Sequence, residues 1–317
     1  DGDTTPLSPA HDTIAPIEAA MERVEAAMRE ALDSDVTVLR DASHHIVQSG
    51  GKRVRPRMLL LTYAAVGGTD LELPIPVAAA VELVHTASVV HDDINDHGVV
   101  RRGRPSVNAL WGRTFALLTG DFLFTKVYEL MAPHKDLNII LAEATVALVE
   151  GETLQAAAVK ENRFTKDVYY QIIARKTAAL FSAAARMGAE LGHAKPLEIE
   201  ALSQFGFNVG LAFQIIDDIL DLIGDQEALG KTAGIDLEQG KGFAATYTNG
   251  AATNGQNPED PVAAIKRKAL QGNAINEARE QAQQLVKMAI DGLDVITDSP
   301  EKDALIELAY LVIERNR

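Results

Sequence analysis

The stretch Phe213 to Asp225 reads FQIIDDILDLIGD: three carboxylates, Asp217, Asp218 and Asp221, set among Phe213, Ile215, Ile216, Ile219 and Leu220. Charges embedded in so apolar a segment are costly unless they are paired or bind a metal ion. The same i, i+1, i+4 spacing occurs earlier, where HDDINDHGVVRRGRP places Asp92, Asp93 and Asp96 between one valine pair (Val89, Val90) and another (Val99, Val100). On a helix, residues four apart lie about 40° apart around the axis and one turn apart along it, so the first and last aspartates of each set point the same way. Such neighbours repel one another. One set alone reads most simply as a solvated acidic face; two sets in apolar surroundings point to a multivalent cation. Mg²⁺ prefers carboxylate oxygens, keeps some waters and commonly completes its octahedron with substrate phosphates. Facing each other across a helical bundle, the two sets could clamp metal and a polyphosphate between them.

The remainder of the 317 residues supports a helical architecture. Apolar residues make up 47% and aromatics only 5%, and Ala, Leu, Glu and Lys dominate long stretches with little β-type alternation. The expected fold class is all-α, a single large helical bundle around a central cavity. Residues 1–16 are polar and proline-bearing and are expected to form a flexible segment, with the helical domain spanning 17–317. After Pro16, the residues Ile17, Met21, Val24, Met28 and Leu32 mark an amphipathic helix opened by that proline. Helices are further predicted over 77–97, 107–132, 136–158, 165–192, 196–224 and 275–296, joined by short breaks. One break is long: Thr246 to Pro261, TYTNGAATNGQNPEDP, reads as a mobile loop, either a lid or an idle surface insertion.

Charge narrows the function. A formal charge of -15 argues against nucleic acid as a partner, so an anionic ligand must meet local cations or metal. Two basic clusters stand out: Lys52, Arg53, Arg55 and Arg57 in GGKRVRPR, and Arg101, Arg102 and Arg104 after the first acidic set. Arginine binds phosphate bidentately and lysine as a compact charge, so two clusters could hold two diphosphates. The chain has no cysteine, no apolar run of about 18 residues that would span a membrane, and no secretory signal pattern at its start, so a cytoplasmic protein is expected. Gly224 to Thr232, GDQEALGKT, imitates a phosphate-binding loop but has five residues between its glycines instead of four and follows a helical pattern. No zinc-protease or serine-hydrolase motif occurs.

These residues resemble the trans-polyprenyl diphosphate synthases. GGKRVRP, HTASVVHDDINDHGVVRRGRPS, GDFLFTKVYELM, ARKTAALF, GLAFQIIDDILDL and GKTAGIDLEQGK follow the family's order over roughly residues 17–317. The resemblance implies that Asp92, Asp93, Asp96, Asp217, Asp218 and Asp221 hold Mg²⁺, three ions with substrate bound, against the diphosphate of an allylic substrate. It implies that Arg101, Lys176 and Lys231 support that diphosphate, and that Lys52, Arg55, His85 and Arg102 bind the diphosphate of isopentenyl diphosphate. Thr177 and Gln214 match positions beside the reacting carbons. Lys241 takes a substrate-binding position, although GFAATYTNGAATNGQNPEDP follows in place of the short Pro/Thr segment usual in the family. The implied reaction is a head-to-tail condensation giving an all-trans polyprenyl diphosphate, without a protein nucleophile. Ala87 and Ser88, both small, stand one turn before Asp92 where relatives with short products tend to carry aromatics. Products longer than C20 are therefore expected, with geranylgeranyl or farnesyl diphosphate as the alternative. A homodimer is the usual assembly. An inactive partner subunit of a heteromeric synthase is the non-enzymatic alternative, and a terpene cyclase fits less well because GGKRVRP and the second aspartate set are both intact.

Overall fold

The computed structural model describes residues 9–161, 163–223 and 273–314. Among them the chain is almost entirely helical: α1 (Pro9–Ala31), α2 (Thr37–Gln48), α3 (Val54–Ala65), α4 (Ile75–Asn95), α5 (Val107–Met131), α6 (Lys135–Lys160), α7 (Lys166–Ile173), α8 (Ala179–Leu191), α9 (Pro196–Ile223), α10 (Ala274–Asp291) and α11 (Pro300–Ile313). The all-α expectation holds. The first helix, however, begins at Pro9 and runs through Pro16 instead of opening after it. Pro9 suits the first helical position, where a missing N–H needs no partner, and Pro16 interrupts only one intrahelical bond. Residues 1–8 lie outside the described residues, as do Lys231, Lys241 and the 246–261 loop.

Local signals set the other boundaries. Ser106, Thr165 and Ser299 cap α5, α7 and α11, each hydroxyl accepting a hydrogen bond from the backbone N–H three residues on. The α5 span is kinked at Gly112, which sits at φ 81°. Between α4 and α5 the chain makes a hairpin that the periodicity does not announce: β1 (Val100–Arg101) pairs antiparallel with β2 (Arg104–Pro105). Its two-residue turn holds Arg102 at φ 53° and Gly103 at φ 73°, the twist such a turn requires.

The core lies where α3, α4, α8 and α9 meet. Met58, Leu59 and Leu60 from α3, Leu83 from α4, Phe181 from α8 and Phe205 from α9 are all fully buried, each contributing roughly 1.5–3 kcal/mol by leaving water. The middle of α4, from Val77 to Val84, is buried all round, as a central helix must be. α4 packs against α5, α3 against α8, and α9 against α8 and α10. Two apolar helices, α4 and α9, thus carry their aspartates through the interior of the bundle. Among the described residues no helix is long and apolar enough to cross a membrane.

Candidate active site

A cleft of about 220 Å³ opens between the C-terminal part of α4 and the corresponding part of α9. Asp92, Asp93 and Asp96 line it from α4 and its end, and Asp217 and Asp218 from α9. Asp221 is buried one turn later on α9 and does not line the cleft. Arg55, His85, Ser88, Arg101, Lys176, Thr177 and Gln214 complete the group of sequence-predicted residues that meet here.

Lys176 and Thr177 reach the cleft because the chain between α7 and α8 forms a π turn, Ala174–Ala178, within an otherwise continuous helical rod. A π turn inserts an extra residue and re-aims the side chains it carries. α6 presses closely on this turn at Gly151, where any Cβ would stand 2.7 Å from the backbone nitrogen of Lys176. Lys176 Nζ lies 3.4 Å from Asp92, 2.6 Å from Glu152 and 3.2 Å from the side-chain oxygen of Gln155. Burial opposes the ammonium charge, but Asp92 and Glu152 together hold its pKa well above the ordinary value. One cation cannot neutralise two carboxylates. Burial and the nearby Asp92 therefore push Glu152 up to about 7 against the pull of Lys176. Glu152, Gln155 and Tyr169, the last also lining the cleft, escape a reading of the sequence. The signal that could have found the first two is GETLQ, a Gly, Glu and Gln grouping in a helix otherwise rich in Ala, Leu and Val.

Arg101, on β1, grips Asp93 through Nε (3.0 Å to Oδ1) and Nη2. Burial pushes the Asp93 carboxyl up, and Arg101 only partly offsets this. The second oxygen, Asp93 Oδ2, is buried with no hydrogen-bond partner among the described residues.

The other basic cluster sits behind His85. Arg53, the αL residue that opens α3 (φ 46°), bonds to Glu25 (2.5 Å), Glu82 (2.9 Å) and the carbonyl of Val47 (2.8 Å), so it is a structural ion pair. Arg55 instead stacks its guanidinium 4.4 Å from the Phe181 ring centre and 6.0 Å from that of Phe213. Burial lowers its pKa to about 10, Glu82 and Asp217 resisting, and its Nε is a buried donor with no partner among the described residues. Arg102 is also lowered by burial, with Glu82 opposing. Burial, then Arg55, Arg102, Arg53 and Arg101, hold His85 well below its ordinary pKa; it is a neutral imidazole at pH 7. Gly51 (φ 149°) makes room for Arg102, whose guanidinium lies 2.7 Å from where a Cβ would stand. Lys52 faces a different space, an apolar cavity of about 390 Å³ between α1, α3 and α11 that shares Phe213 with the cleft. Ala87 is fully buried and does not line the cleft, whereas Ser88 does.

The donor set suits a hard cation. All the facing acids are carboxylates, and Asp93 offers an oxygen that nothing else among the described residues satisfies. Among the described residues no three acidic or histidine side chains stand close enough to enclose an ion; the two sets lie on opposite walls, so ligands from a bound anion would have to complete the coordination. With the buried, unpartnered Arg55 Nε among its donors and carboxylates on two walls, the cleft has the chemistry that suits phosphorylated groups.

Comparison with known proteins gives the family. The polyprenyl synthetase family profile matches residues 36–286. The chain is 35% identical over 315 residues to the octaprenyl diphosphate synthase of Escherichia coli, covering 94% of this chain and 96% of that protein. It is 37% identical over 313 residues to the short chain isoprenyl diphosphate synthase of Methanothermobacter thermautotrophicus, covering 93% and 96%. The crystal structure of a polyprenyl synthase from Caulobacter crescentus complexed with calcium and isoprenyl diphosphate superposes with a TM-score of 0.88 at 31% identity, covering 97% of this chain and 98% of that one. The chain belongs to the polyprenyl synthetase family and is a trans-prenyltransferase that makes a polyprenyl diphosphate.

Proposed function

We propose that the protein is a Mg²⁺-dependent synthase that condenses isopentenyl diphosphate head-to-tail with an allylic diphosphate, giving all-trans products longer than C20. The observation that carries this reading is the cleft in which five of the six motif aspartates, Asp92, Asp93, Asp96, Asp217 and Asp218, meet Arg55, His85, Arg101, Lys176, Thr177 and Gln214. Mg²⁺ would be held by Asp92, Asp93, Asp96, Asp217 and Asp218, with Asp221 as a further ligand or support, and would supply charge neutralisation for a leaving diphosphate.

The chain's own residues account for the rest. Lys176 and Arg101, both kept charged by neighbouring carboxylates, bind the allylic diphosphate. Arg55 and Arg102 bind the second diphosphate, with neutral His85 as a hydrogen-bond donor, and Lys52 reaches it from the adjoining cavity. Ionisation breaks the allylic C–O bond, whose electron pair leaves on the diphosphate. Thr177 and Gln214 turn oxygen dipoles toward the resulting cation. The double bond of isopentenyl diphosphate supplies two electrons to the new C–C bond, and the proton then lost goes to the departed diphosphate. No protein nucleophile is needed. Lys231 and Lys241 are assigned to diphosphate binding on sequence alone.

Ser88, on the cleft wall, is small and leaves the path along α4 open for a growing tail, which supports a long product. A homodimer is supported by α5 and α6, which expose Phe115, Leu118, Tyr128, Ile139, Val146 and Val149.

The test is incubation of purified protein with Mg²⁺, isopentenyl diphosphate and, separately, C5, C10, C15 and C20 allylic diphosphates, with product lengths read by mass spectrometry. A ladder ending beyond C20 is expected. A stop at C15 or C20 would leave the chemistry standing and reveal a floor to the tail path. Absence of condensation with every primer would favour an inactive partner subunit.

A further inference from the structure

Four side chains from three elements form a continuous hydrogen-bonded line along the cleft. Tyr169 on α7 is 3% exposed, and its phenol donates to Asp218 Oδ2 at 2.7 Å. The Gln214 amide donates through Nε2 to Asp218 Oδ1 at 2.8 Å. Thr177, on the π turn, donates its hydroxyl proton to Gln214 Oε1 at 2.8 Å.

The direction of this line is fixed by elementary donor and acceptor chemistry. A carboxylate only accepts, so Asp218 obliges Gln214 to present its NH₂ group to α9's own acid and its carbonyl to Thr177. Thr177 must then give its proton to that carbonyl. The lone pairs left on Thr177 Oγ1 and Gln214 Oε1 are consequently the groups available to the cleft, which both residues line. A developing carbocation is stabilised by oxygen lone pairs and destabilised by N–H or O–H protons. A Gln214 amide turned by half a revolution would offer the wrong pole.

We propose that Tyr169 is a positioning residue for the condensation: by clamping Asp218, its phenol fixes the direction of the Gln214 amide and so the pole that the Thr177 and Gln214 pair shows to the allylic cation. The proposal rests on the prenyl-transfer reading. Without the phenol, Asp218 Oδ2 loses one of its donors, and the Gln214 amide faces a less firmly held carboxylate. The ring itself is not the issue: Tyr169 also packs against Phe164 and, edge-on, against Tyr170 at 6.4 and 5.4 Å between ring centres, contacts that phenylalanine keeps.

The test compares wild type, Tyr169→Phe, Thr177→Val and the double variant. Tyr169→Phe is expected to lower kcat about tenfold, the scale of one hydrogen bond to a charged group, with KM for both diphosphates within about twofold of wild type. In the Thr177→Val background, where the relay is already cut at its far end, the same change is expected to cost less than about threefold. Equal losses in both backgrounds would overturn the proposal, since a tyrosine acting only through packing is indifferent to Thr177. A wild type without condensation activity would overturn the function and leave the relay to a second readout, the melting temperatures of the same four proteins. A relay gives a double variant that melts higher than additive losses predict; strict additivity would overturn it.

Discussion

At the scale of single residues, the site is sensitive to atoms that make no contact with substrate. Gly51 is one: at φ 149° any side chain strains the backbone there, and a methyl group meets the Arg102 guanidinium, which must swing away from its place to admit it. Gly51→Ala is expected to raise KM for isopentenyl diphosphate about tenfold while changing kcat little; steady-state kinetics with each diphosphate varied in turn measures this. Glu152 gives a pH signature. Its carboxyl titrates near 7 in the fold against 4.5 in the ordinary state, so between those values the ligand-free folded protein holds a proton that the unfolded chain has released. Stability from this group is therefore present at low pH and lost as pH rises through the window. Glu152→Gln removes the effect. Melting scans from pH 5 to 7.5 are expected to show wild type losing on the order of 1–2 kcal/mol relative to the variant.

At the scale of elements, the legibility of the chain divides by how far apart the interacting residues lie. The two aspartate sets, the GGKRVRP and RRGRP clusters and the Lys176 and Thr177 pair are readable because each is a dense local pattern. Glu152 and Tyr169 were not, because each is a polar residue in apolar surroundings whose partner, Asp92 or Asp218, belongs to another helix. The hairpin at 100–105 also escaped notice: two residues per strand are too few for an alternating pattern. Six helical spans, those of α4, α5, α6, the α7–α8 rod, α9 and α10, are legible to within a few residues, whereas α1 begins at Pro9, before the apolar stripe that marks it, and α2, α3 and α11 are not assigned from the sequence. Periodicity also misses the π turn, since one inserted residue scarcely disturbs an apolar helix of Ala, Ile and Leu. Ser88, not Ala87, borders the cleft, so Ser88→Phe is expected to shorten the product by several isoprene units without abolishing condensation. An unchanged product ladder by mass spectrometry would mean that the tail leaves along another wall.

At the scale of the whole molecule, the densest packing joins helices adjacent in the chain, α4 with α5 and α8 with α9. Such local pairs assemble quickly, whereas surfaces between distant segments wait for the rest of the chain. Asp92 and Asp217 are far apart in sequence and meet only when both pairs have docked. On refolding from denaturant, far-UV helicity is therefore expected to return before synthase activity, with a lag visible when both are sampled from one reaction; simultaneous recovery would show that the walls dock as the helices form. The placement of the cleft between helices far apart in the chain has a practical corollary. Catalysis reports on long-range order and circular dichroism on short-range order, so a preparation can look intact by its spectrum while the seam between α4 and α9 has already come apart, and turnover is the more sensitive gauge of damage in storage.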